Sequence, residues 1–176
     1  MKIAFNSANL VGRVTGYRYT DWLAQHRQTV KETDAATFEQ ICGEIAATGF
    51  EAVELWQALA DPSVMTEELA SERATIARDH GLELVGYGGY LGTGAEKVCG
   101  WLGVGAINGG FGLAPDAATA LCREHNVRTN FENHPQSTVS EILAAVIHKP
   151  PDFTALPADT PASIVALVER CDISRG

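Results

Sequence analysis

Glu132 and His134 stand two residues apart in the run NFENHP, residues 130–135. On an extended chain alternate side chains share a face, and the Cα atoms of such a pair are about 6.5–7 Å apart. A carboxylate and an imidazole at that spacing can converge on one metal ion or one substrate. Asn130 falls on their side, Thr129, Phe131 and Asn133 on the other, and Pro135 stops the strand. A second acid, Glu54, lies inside the apolar run AVELW, residues 52–56. With Val53 and Leu55 facing helices, Glu54 and Trp56 turn to the opposite face, and an acid there needs a partner. By the same parity Asn6, at the end of the first apolar run, is a third inward polar group.

The elements that would position these groups alternate regularly. KIAF (2–5) reads as a first strand, followed by a long polar loop and then a helix over DAATFEQICGEIAATG. That helix carries Phe38, Ile41, Cys42 and Ile45 at helical spacing and closes on Gly49. AVELW is the second strand; after it Thr66 caps a helix with acidic residues in its first turn and Gly81 at its end. LELVGY is the third strand and AEKVCGWLG its helix. A weak fourth strand lies in VGAINGGFG, Pro115 starts the helix PDAATALCREHN, and VRTNFEN is the fifth strand. Thr138 and Glu141 form a capping box for a helix through Val146. Residues 147–176 hold three proline sites, a weak sixth strand in DFTAL and a helix starting at Thr160 and Pro161; we read them as a tail to a single domain spanning 1–176.

Strict alternation of strands and helices predicts a parallel sheet wrapped by helices, either a barrel or an open doubly wound sheet. Functional side chains in such folds gather at the carboxyl ends of the strands, where Glu132 and His134 fall. The stretch GYGGYLGTG, 86–94, offers two alternatives: a dinucleotide-binding turn, for which Leu91 stands where a third glycine is needed, or a loop on the active face. His26, His80, His125 and His148 lack ligand spacing, and His80 and His125 fall in the last turns of helices, where a cation suits the dipole. Cys99 and Cys122 fall on apolar helix faces.

The totals exclude several partners. A net charge of −9 with no block of Lys or Arg lacks the footprint for nucleic acid or an anionic membrane. Cys42, Cys99, Cys122 and Cys171 form no C-x-x-C pair, which points to reduced, structural thiols. No signal-peptide pattern or membrane-length apolar run is present, and we read the chain as cytoplasmic.

GFEAVELW, GVGAINGG, CREHNVR and above all NFENHP followed by TVSEILAAV resemble the sugar phosphate isomerase/epimerase group of xylose isomerase-like TIM barrels, over residues 1–146. The resemblance implies an α/β fold, an incomplete TIM-type (β/α) barrel of about five to six units with parallel strands. It implies a divalent metal (Mn, Mg, Co or Zn) with Glu132 as the strand-five ligand and Asp159 as a second, and His134 bordering the substrate. The implied reaction moves a proton between carbons next to the carbonyl of a sugar or sugar phosphate, with Glu132 and His134 catalytic and Asn6, Glu54 and Trp56 binding substrate. The family's strand-seven His and strand-eight Glu have no counterpart before Gly176, so a partial barrel with reduced activity is expected. Its open edge would be covered by another copy of the chain or by another chain. The alternatives are a non-catalytic barrel fragment held by self-association and an open-sheet nucleotide binder.

Overall fold

A computed structural model describes residues 3–19, 21–110 and 113–130, all within one compact unit, Met1–Glu132. Its strands are β1 (Phe5–Asn6), β2 (Ala52–Trp56), β3 (Glu83–Gly88), β4 (Ala106–Asn108) and β5 (Arg128–Asn130). They form one parallel sheet in the order β1-β2-β3-β4-β5. Among the described residues this order never reverses, so the topological switch point of a doubly wound sheet is missing. Between the strands lie α1 (Val11–Val14), α2 (Trp22–Glu32), α3 (Ala35–Ala47), α4 (Glu67–Asp79), α5 (Ala95–Leu102) and α6 (Pro115–Glu124).

One core joins α3, α4, α5 and α6 to a single face of the sheet. Val53 and Leu55 of β2, Tyr87 of β3 and Ile107 of β4 are buried in the same apolar cluster as Phe38 of α3, Val98 of α5 and Ala118 of α6. Each strand therefore gives alternate residues to the helices, and its remaining side chains go to the opposite face. Gly49 and Gly81, with φ of +87° and +74°, end α3 and α4 in the left-handed conformation that glycine adopts without strain. Thr66 Oγ1 accepts the Leu69 N–H to start α4, and His80 and His125 stand at the C-caps of α4 and α6.

The expected first strand, 2–5, is displaced: Ile3 and Ala4 lie outside the sheet and pairing begins at Phe5, opposite Val53. The expected long polar loop after it instead holds a 3-10 turn, Ser7–Leu10, and the helices α1 and α2. Apolar periodicity cannot reveal α2 because its inner face is built from hydrogen bonds. Buried Gln25 donates to Val11 O at 2.9 Å, and buried Thr29 donates to the same carbonyl at 3.0 Å. Asp21 caps the helix by accepting the Ala24 N–H at 2.7 Å. Among the described residues no helix is long and apolar enough to cross a membrane.

Candidate functional site

The sheet face turned away from the core carries a connected row of polar side chains. Parallel register sets Asn6 beside Glu54 and Glu54 beside Gly86, with Trp56 beside Gly88, Gly88 beside Asn108 and Asn108 beside Asn130. Between Val53 and Glu54 the register against β3 shifts, and the skipped residue, Val85, is what brings Gly86 opposite Glu54. Asn6 Nδ2 donates to Glu54 Oε1 at 3.0 Å, Asn108 Nδ2 to Glu54 Oε2 at 2.5 Å, and Asn130 Nδ2 to Asn108 Oδ1 at 2.6 Å. The direction of this chain is set by the carboxylate, which can only accept, so each amide turns an N–H toward it. Asn6 is fixed further by its Oδ1, which accepts the Ala8 N–H at 2.9 Å.

The row exists because β3 presents no side chain at its centre. Glu54 and Asn108 sit on strands separated by β3, and the carboxylate reaches across the bare backbone of Gly86. A Cβ there would lie 2.9 Å from Asn108 Nδ2 and 3.4 Å from Glu54 Oε2. At Gly88 a Cβ would lie 2.6 Å from the Trp56 ring, which rests on that glycine. These two glycines belong to β3, where they bare the backbone.

This arrangement predicts an unusual sign for a routine change. Alanine for glycine in a strand normally gains about 0.5–1 kcal/mol. At Gly86 the methyl group separates Asn108 from Glu54, so Gly86→Ala is expected to lose about 1–2 kcal/mol in urea unfolding. A variant as stable as the parent would show that the amide–carboxylate bridge contributes nothing.

Trp56 borders the row. Its backbone N–H donates to the buried Ser7 hydroxyl oxygen at 2.7 Å, and Trp22 of α2 meets its ring edge-on with centroids 6.0 Å apart. Its indole Nε1 is buried and has no acceptor among the described residues. The unforeseen helix α2 thus supplies part of the site's wall.

Asn6, Glu54 and Trp56, expected on the inward face, are on it, and the structure brings them together with Asn130. Glu132, His134 and Asp159 lie outside the described residues. Asn108 is not among the residues the sequence singles out: the parity that sends Ile107 to the helices turns it to this face, but a three-residue strand is too short for alternation to show. Among the described residues no three His, Cys, Asp or Glu side chains come together. Both Glu54 oxygens already receive amide N–H groups, which compete with a cation for the same lone pairs, so this part of the row is not by itself a metal centre. Cys42 and Cys99 are no nucleophiles either: burial pushes their thiols up to about 12.

Neither a family model nor a curated protein matches this chain.

Proposed function

We propose that the protein is a sugar or sugar phosphate isomerase/epimerase-like protein built on part of a TIM-type (β/α) barrel. The observation that carries this reading is the Glu54 carboxylate of β2, held by Asn6 at the end of β1 and, across β3, by Asn108 at the end of β4 in one parallel sheet. A carboxylate offers about four lone-pair positions and the amides occupy two, so the rest accept substrate hydroxyls. The Trp56 indole N–H and the remaining amide N–H groups donate to substrate oxygens. A strip of acceptors and donors at strand spacing suits a polyhydroxylated carbonyl compound. Consecutive strand order with α3 to α6 on one face supports the barrel reading, since a barrel winds its strands in sequence.

In this reading Glu132, two residues beyond Asn130 in sequence, removes the proton from the carbon next to the carbonyl and returns it to the neighbouring carbon or the opposite face. His134 moves the accompanying proton between the substrate oxygens. Glu54, Asn6 and Trp56 hold the substrate hydroxyls. A divalent metal on Glu132 and Asp159 would polarise the substrate oxygens.

The test is deuterium wash-in. The protein is incubated in D₂O with a panel of ketoses, aldoses and their phosphates, with Mn, Mg, Co or Zn added in turn, and carbon-bound hydrogen is followed by NMR. Exchange next to the carbonyl of at least one sugar is expected. Glu132→Gln should abolish it, and Glu54→Gln should lower kcat/KM at least about tenfold, or about 1.4 kcal/mol. Absence of exchange with every sugar and metal overturns the reading.

A further inference from the structure

A second group of polar side chains lies outside the row, between the loops that leave β2 and β3. There Gln57, Asp61, Pro62, Ser63, Tyr90 and Thr93 line a cavity of about 290 Å³. Small-molecule sites run from about 300 Å³ upward, so this cavity matches one monosaccharide-sized ring and is too small for a dinucleotide.

Its polar groups are fixed from behind. Asp61 Oδ1 accepts the Ser63 N–H at 2.9 Å and the Ser63 hydroxyl at 2.5 Å, and Asp61 Oδ2 lies 3.0 Å from His26 Nε2 of α2. Burial alone would raise the Asp61 carboxyl, but the Ser63 hydroxyl, His26 and the Ser63 N–H hold it below its ordinary range. It therefore stays an acceptor at neutral pH, with about one lone-pair position left over. The Ser63 and Thr93 hydroxyls spend their protons on Asp61 and on Tyr90 O, so both oxygens are left with lone pairs to accept. The half-buried Gln57 amide and the Tyr90 hydroxyl have no hydrogen-bond partner among the described residues.

The inventory is thus several acceptors, one amide and one phenol able to donate, and the apolar surfaces of Pro62 and the Tyr90 ring. The charge in the lining is a carboxylate. A ligand that matches must bring several O–H donors, a C–H face for the tyrosine ring and no negative charge. We infer that this cavity is a binding site for a small neutral polyhydroxylated ligand, a sugar ring or polyol, separate from the row around Glu54.

A methyl glycoside tests this independently of the proposed reaction, because it has no free carbonyl and cannot be isomerised. Methyl β-glucopyranoside is titrated into the ¹⁵N-labelled full chain, with inorganic phosphate as a second probe. The expected result is saturable shifts at Gln57, Ser63, Tyr90 and Thr93 with the glycoside, and none there with phosphate. Tyr90→Ala, whose side chain is exposed enough to remove without disturbing the core, should weaken binding at least tenfold with unchanged circular dichroism. Glu54→Gln should leave it unaltered. No saturable shift with the glycoside, phosphate binding at these residues, or loss of binding in Glu54→Gln would each overturn the inference.

Discussion

Arg73→Ala is expected to lower the unfolding free energy by about 3–4 kcal/mol, because it strips two backbone carbonyls of a charged donor. Arg73 belongs to α4, is only 8% exposed, and crosses the interior to donate to Leu59 O and, at 2.9 Å, to Thr33 O. Its guanidinium lies 5.0 Å from the centre of the Phe38 ring. One side chain thus ties α4 to the turn after β2, to the end of α2 and to α3. Each charge-assisted hydrogen bond contributes about 1.5–3 kcal/mol, and removing the donor leaves both acceptors buried and unpaired. Arg73→Lys keeps the charge but loses the planar fork that reaches two carbonyls at once, so it should recover less than half of the loss. Urea unfolding of the parent and both variants measures this. A loss below about 1 kcal/mol for Arg73→Ala would mean that water replaces the guanidinium at both carbonyls.

Arg73 also marks where the sequence stops being legible. In ASERATIARD it reads as one more polar residue of an amphipathic helix, and nothing in the spacing separates it from the exposed Glu72 beside it. Periodicity reports apolar burial, and so α3, with Phe38, Ile41, Cys42 and Ile45 all buried, was readable together with its Gly49 stop. The same rule misses an inner face made of Gln25 and Thr29, hence the unforeseen α2. Strand parity placed Glu54, Trp56 and Asn6 on one face because AVELW alternates cleanly. It said nothing of Asn108 in a three-residue strand. That Glu54 binds across β3 depends on a register shift and two glycines, and register between distant segments cannot be read along one chain.

Gly109→Ala should be the most damaging single methyl group at the site, costing about 2–4 kcal/mol. Gly109 follows β4 at φ +146°, a conformation closed to side-chain-bearing residues, and an added Cβ would stand 2.4 Å from the Gly89 carbonyl oxygen. That oxygen is backbone and cannot rotate away. The glycine is also where three strand ends are joined: Gly109 N–H donates to Asn130 O at 3.2 Å, and Gly89 N–H donates to Asn108 O at 2.9 Å. Pushing Gly89 and Gly109 apart therefore separates β3 from β4 at the level of the row that holds Glu54. Stability should fall, and the amide chain Asn130–Asn108–Glu54 should loosen with it, so Gly109→Ala and Glu54→Gln are expected to be non-additive in urea unfolding. Gly100→Ala supplies the control: Gly100 is exposed within α5 and its Cβ would meet no atom within 4 Å, so the substitution should gain up to about 1 kcal/mol from helix propensity. Opposite signs for the same methyl group would place the cost of Gly109→Ala in the strand-end junction; equal signs would remove Gly109 from the account of how the row is held.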